Sequence, residues 1–120
     1  MTLLEQQQLF SMLIADLITH AYSAGYAVTL GEAYRTPQQA RWDADRNIGI
    51  AHSLHTERLA IDLNLFKGAT FLTAVEDYRP LGDYWTSLHD QARWGGNFRD
   101  VHGNSKPDAD HFSLAWDGTE

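Results

Sequence analysis

The chain contains no cysteine. That excludes a disulfide frame, a thiolate nucleophile and a sulfur-ligated metal, so any metal has to be held by imidazole or carboxylate; the redox compartment stays open. Basic residues are scarce as well. Nine Lys and Arg against sixteen Asp and Glu give a formal net charge of −7, which argues against nucleic acid or an anionic membrane as the main partner. No stretch approaches the ~18 consecutive apolar residues of a membrane span, so membrane insertion is not expected. The first residues lack a basic leader and a small-residue cleavage site, so no signal peptide is read. Prolines number only three and the apolar fraction is 43%, a composition that folds. At 120 residues the chain supports one core and not two, and a single domain over residues 1–120 is expected. No internal repeat or low-complexity tract is present.

Taken in order, Thr2 and Glu5 form a capping box. The apolar residues Leu9, Phe10, Leu13, Ile14, Leu17, Ile18 and Ala21 then recur at helical spacing until Gly25. His20, near that helix's C-terminus, suits the dipole and is read as structural. Residues 26–34 are strand-like, with Tyr26, Val28 and Leu30 on one face and Arg35 at the strand's end. Thr36 and Pro37 start a short helix whose capping box Gln39 would complete, and residues 43–50 form a connecting loop. Residues 66–69 make a turn and residues 70–72 the returning arm of a hairpin. Leu81, Tyr84, Trp85, Leu88 and Ala92 predict a helix over residues 80–93 closed by Gly95-Gly96, and residues 97–107 are irregular. Trp42, Trp85, Trp94 and Trp116 are read as core or cleft wall. The sum is an α+β domain with two or three helices and a small, mostly antiparallel sheet.

The stretch from Ser53 to Leu65 carries the candidate chemistry. Leu59, Ile61, Leu63 and Leu65 alternate with Ala60, Asp62 and Asn64, the period of a half-buried strand that would hold Asp62 rigidly on its polar face. His55 lies in a loop just upstream. Near the other end, His111, Ser113 and Ala115 alternate with Phe112, Leu114 and Trp116, so His111 would face the same way as Asp62 if the two strands pair. Two histidines and a carboxylate match a catalytic zinc site, which takes three protein ligands and keeps a fourth position open. Asp108 precedes His111 by three residues and could accept a proton from an attacking water. Asp110, on a segment read as extended, would point away. His52 and His102 are weaker rivals as ligands because neither sits on an alternating strand, and His89 is read as a surface or helix-end residue. Ser53 either caps a turn or makes a contact beside His55.

In order and spacing, Ser53-x-His55, Ala60-x-Asp62, Trp94-Gly95-Gly96 and Asp108-x-x-His111-Phe112 resemble the M15 family of zinc peptidases. That family includes D-Ala-D-Ala carboxypeptidases and phage L-alanyl-D-glutamate endolysins. Tyr34-Arg35-Thr36-x-x-Gln39 is similar to the family's arginine segment, so the resemblance covers most of the chain. One departure is Arg58, where the family usually has Gly, a residue that takes positive φ more cheaply. The resemblance implies a Hedgehog/DD-peptidase-like fold and Zn2+ held by His55, Asp62 and His111. It also implies Asp108 as general base, Arg35 as the stabiliser of the oxyanion, and Ser53 and Gln39 as supporting or substrate contacts. The substrate it implies is the stem peptide of bacterial peptidoglycan. The first reading is an L-alanyl-D-glutamate endopeptidase of a phage or prophage endolysin, and the next a D,D-carboxypeptidase. A catalytically silent peptidoglycan-binding phage structural module is the alternative of a different class, and it would have no need of Asp108. The expected protein is a monomer, made in the host cytoplasm without a signal peptide and acting on the wall after release, for example through a holin.

Overall fold

The computed structural model describes residues 1–46 and 53–120. Helix α1, Leu3–Ser23, starts where the sequence places it. The Thr2 hydroxyl accepts from the Glu5 N–H at 3.1 Å and the Glu5 carboxylate accepts from the Thr2 N–H at 2.9 Å, which satisfies two of the free donors of the first turn. Gly25, at φ +92°, turns the chain out of the helix. His20 stacks flat on Tyr84 with ring centroids 3.6 Å apart, a packing role.

Among the described residues five strands follow: β1 Ala27–Leu30, β2 Ala60–Lys67, β3 Thr70–Leu72, β4 Ala92–Trp94 and β5 His111–Leu114. They form one antiparallel sheet in the order β1-β2-β5-β4, with β3 also paired to β2. The alternation of β2 divides the sheet into two faces. Leu59, Ile61, Leu63 and Leu65 join Phe112 and Leu114 of β5 and Trp94 of β4 in a core closed by Phe10, Leu13, Ile14 and Leu17 of α1 and by Tyr78, Leu81 and Trp85 of α3 (Val75–Leu88). Burying each of these large side chains is worth ~1.5–3 kcal/mol, enough to fix the register of β2. A slip by one residue would turn Asp62 into that core. The opposite face, carrying Ala60, Asp62, His111 and Ser113, is the one available for chemistry.

Several boundaries differ from the sequence expectation. Helix α3 begins at Val75 rather than at Pro80, because the Asp77 carboxylate accepts from the Ala74 N–H and supplies the start about one and a half turns earlier. Pro80 sits inside the helix, which forgoes one backbone bond there. The helix stops at Leu88, and Ala92 belongs to β4, a strand too short for alternation to reveal. Strand β1 ends at Leu30, which is 68% exposed rather than packed, so Arg35 lies in a loop beyond the strand. Helix α2, Pro37–Asp45, has the expected threonine cap but runs through residues taken as loop. Gln39 does not close a capping box, because its amide donates to Asp43 Oδ1 at 2.7 Å instead. The rest of the expected 43–50 loop beyond Arg46, and His52, lie outside the described residues. Strand β5 ends at Leu114, before Ala115 and Trp116.

Arg58 does adopt the left-handed conformation, at φ 57° and ψ 34°, ending the short 3-10 turn formed by Leu54–Glu57. Its guanidinium lies over the Tyr34 ring, 4.0 Å from the centroid. The backbone strain of ~1 kcal/mol is thus largely offset by a cation–π contact of about 0.5–1 kcal/mol. Arg58→Gly should therefore stay within ~0.5 kcal/mol of the wild type. Arg58→Ile, β-branched and without the charge, should lose ~1–3 kcal/mol in chemical denaturation.

Candidate metal centre

The 3-10 turn positions His55. The Ser53 hydroxyl accepts from the His55 N–H at 3.2 Å, and Gln7 of α1 donates to the Glu57 carbonyl at 2.7 Å, fixing the turn to the body of the protein. Ser53 is therefore the cap of the turn that carries His55, and it is buried. His55 Nδ1 lies 3.3 Å from the Ala33 carbonyl oxygen, a contact that favours a proton on Nδ1 and leaves Nε2 free. That Nε2 lies 3.5 Å from Asp62 Oδ1.

The sheet supplies the rest. In the β2–β5 register Asp62 stands directly opposite His111, and His111 Nδ1 lies 3.7 Å from the same Asp62 oxygen. The donor atoms of His55, Asp62 and His111 all fall within 4.8 Å of one another. Both histidines are nearly inaccessible, at 4% and 7% exposed. Among the described residues Asp62 Oδ1 is buried without a hydrogen-bond partner. Such an orphaned acceptor costs about 1–3 kcal/mol, and more for a charged one, unless a cation sits against it. Two imidazole nitrogens and one carboxylate oxygen, with a main-chain oxygen against the other nitrogen of each imidazole, fit a zinc-like ion with an open position.

The two imidazoles differ electrostatically. Burial and the neighbouring His55 pull His111 down to about 4, so it is neutral and able to coordinate at neutral pH. For His55, burial works against a charge, but the Asp62 carboxylate and the Ala33 carbonyl outweigh it and raise its pKa.

Asp108 and Asp110 sit at the mouth of the site. Asp108 Oδ2 is 3.8 Å from His111 Nδ1 and its side chain is 58% exposed. Asp110 does not point away. Residues 108–111 form a turn, with the His111 N–H donating to the Asp108 carbonyl at 3.1 Å, so strand alternation does not apply and the Asp110 carboxylate gathers with those of Asp108 and Asp62. Burial, a hydrogen bond with Asp108 and the charge of Asp62 push Asp110 up to about 7. The Trp94-Gly95-Gly96 motif makes this turn possible. The Asp108 N–H donates to the Gly95 carbonyl at 2.8 Å, and a Cβ on Gly95 would collide with the Asp108 carbonyl oxygen and come within 2.8 Å of the His111 Cβ.

Arg35 donates its backbone N–H to the His55 carbonyl at 3.1 Å. Its guanidinium is paired with Glu32 and lies 4.0 Å from Asp43 Oδ2. Gln39, exposed on α2, reaches this group only through its bond to Asp43. His102 is exposed on an irregular turn, and Trp42 is half exposed on α2. Sequence reasoning missed Glu32, whose carboxylate is 3.8 Å from His55 Nδ1, as well as Asp43 and the true direction of Asp110. The i,i+3 pairing of Glu32 with Arg35 was the one local signal available.

The metal-free protein should carry a pH signature. A raised Asp110 pKa gives stability that is full below its unfolded value of 3.8 and lost as pH rises through about 7. The depressed His111 pKa works the other way, losing stability as pH falls from the unfolded 6.5 toward about 4. Above about pH 6.5 only the declining contributions of Asp110 and His55 remain, so the melting temperature of EDTA-treated protein should fall between about pH 6.5 and 8. Asp110→Asn should flatten that fall, and thermal melts across the range read it directly.

No family model and no curated protein sequence matches the chain. Solved structures do. An L-Ala D-Glu endopeptidase, ChiX, from Serratia marcescens superposes with a TM-score of 0.63 at 17% identity, covering 88% of this chain and 79% of the other. The vancomycin-resistance D,D-pentapeptidase VanY from a VanB-type cassette, solved in complex with Zn(II), superposes with a TM-score of 0.61 at 19% identity, covering 88% and 70%. Among the described residues, three helices on a five-stranded antiparallel sheet, with a His-Asp-His group on its open face, thus give this chain the α+β, DD-peptidase-like fold that those two peptidases share.

Proposed function

We propose that the chain is a zinc peptidase of the M15 type that hydrolyses a peptide bond in the stem peptide of bacterial peptidoglycan, with His55, Asp62 and His111 as the metal ligands. The observation that carries this reading is the Asp62 oxygen, buried and without a hydrogen-bond partner among the described residues, lying beside two histidine nitrogens. When bound there, zinc would polarise the scissile carbonyl and acidify a water. Asp108, exposed at the mouth beside His111, accepts the proton of the attacking water and returns it to the leaving amine. Arg35 offsets the charge that develops on the carbonyl oxygen, exchanging an acidic partner for it, and Glu32 and Asp43 hold its planar fork in readiness. Ser53 acts by orienting His55, and Gln39 by steadying Asp43.

Within this class we favour an L-alanyl-D-glutamate endopeptidase, the cell-wall lytic enzyme of a phage or prophage, a reading supported by the likeness to ChiX. Likeness to the D,D-pentapeptidase favours the second reading, a carboxypeptidase that trims the end of the stem. Among the described residues no helix is long and apolar enough to cross a membrane. Digestion of purified peptidoglycan, followed by mass spectrometry of the released ends, separates these readings. New L-Ala carboxyl and D-Glu amino ends identify the endopeptidase, and released D-Ala the carboxypeptidase. An intact polymer in the presence of zinc-loaded protein would overturn both in favour of a silent binding module.

A further inference from the structure

We infer that the turn after β5 is part of the metal centre: the main-chain oxygen of Glu120, clamped by the Ser113 hydroxyl, positions His111 as a ligand. The inference rests on the zinc reading above and extends it to residues that the mechanism does not use. Alternation along β5 puts Ser113 on the same face as His111, yet Ser113 is 0% exposed, so its hydroxyl needs an internal partner. It finds one in the Glu120 main-chain oxygen at 2.6 Å. His111 Nε2 lies 3.4 Å from that same oxygen. An oxygen with two lone pairs can accept from both. A proton committed to Nε2 leaves Nδ1, the nitrogen facing Asp62, unprotonated and directed at the ion.

The local sequence places this oxygen. Trp116 and Thr119 exchange backbone hydrogen bonds at 2.9 Å in both directions, with Asp117 at φ 49° and Gly118 at φ 79° between them. That is the Asp-Gly reversal in which both central residues take positive φ, and it folds Glu120 back over the sheet. Arg93, opposite Ser113 in the β4–β5 register, adds a tie by donating to the Glu120 carboxylate at 3.1 Å. The Arg93–Glu120 pair is solvent-exposed enough to be worth little by itself; the main-chain oxygen is the functional group.

Zinc affinity measured by competition with a chromophoric chelator, with the visible absorption of the cobalt-substituted protein beside it, tests this. Ser113→Ala removes the clamp. Gly118→Val strains the turn without touching the core, since among the described residues nothing lies within 4 Å of a Cβ there. Both should weaken zinc binding by about 10- to 100-fold and change the cobalt spectrum, because a reoriented imidazole alters the ligand field. Glu120→Gln keeps the main-chain oxygen and should bind zinc as the wild type does. Wild-type affinity in both Ser113→Ala and Gly118→Val would overturn the inference and leave the zinc reading standing. So would weakened binding with an unchanged cobalt spectrum, or a loss in Glu120→Gln as large as in Ser113→Ala. A wild-type protein that binds no zinc would remove both the zinc reading and this inference.

Discussion

His55→Ala, Asp62→Ala and His111→Ala should each yield a folded protein that retains no stoichiometric zinc and cleaves no peptidoglycan. Among the described residues the three proposed donors lie within 4.8 Å of one another, and with one of them removed the remaining two do not hold the ion in an open, four-coordinate geometry. The three variants should differ in their metal-free stability. Truncating either histidine empties a nearly inaccessible site, whereas removing Asp62 also removes a buried oxygen that has no hydrogen-bond partner among the described residues. Metal-free Asp62→Ala should therefore melt no lower than metal-free wild type, although it loses the stabilisation by bound zinc, ~2.7 kcal/mol at a free metal concentration of about 100 times Kd. Elemental analysis and paired melts with and without EDTA give both results. Full zinc occupancy in any one variant would strike that residue from the ligand set.

Asp108→Asn should keep the zinc and the fold but lower turnover by about 10²–10⁴-fold, the contribution expected of a positioned general base. The carboxylate is exposed at the mouth, with Oδ2 3.8 Å from His111 Nδ1, so the amide disturbs neither core nor ligand. Asp110→Asn is the informative companion. Asp110 shares a hydrogen bond with Asp108, and an asparagine amide can still donate to that neighbour, so its loss of rate should be the smaller of the two. Because Asp110 also adds to the negative field around Asp108, the variant should move the pH-rate profile as well as its height. A dead Asp110→Asn beside an active Asp108→Asn would transfer the role of base to Asp110. Full activity in both would direct attention to Glu32, whose carboxylate reaches within 3.8 Å of His55 Nδ1 on the other side of the site.

Much of the architecture could be read from short-range patterns. The Thr2 capping box, the apolar spacing of α1 and the alternation of β2 are decided within a few residues, and each appears in the folded chain at its expected place. The hairpin to β3 turns at Gly68, φ 61°, as its sequence requires. Patterns failed where they were too short or ambiguous. Pro80 looked like a helix start because proline favours the first turn, while the actual cap came from Asp77. Three residues of β4 could not display a period. Asp110 was misdirected because alternation was carried back from β5 into residues that form a turn.

For the proposed site, the sequence by itself limited the donor types: a chain without cysteine has imidazole and carboxylate to offer, and the parity of β2 put Asp62 on the face away from the core. Only the tertiary structure decided that these donors meet. His55 and His111 are separated by most of the sheet's length in sequence, and their meeting depends on the antiparallel β2–β5 register that sets Asp62 opposite His111. It also decided the surroundings: Ala33 and Glu120 oxygens behind the two imidazoles, Glu32 and Asp43 on Arg35, and Asp110 beside Asp108. The reason is physical. Alternation and capping are properties of neighbours along the chain, whereas a ligand cluster, a carbonyl that fixes a tautomer and the repulsion among three carboxylates depend on through-space distances that packing alone sets.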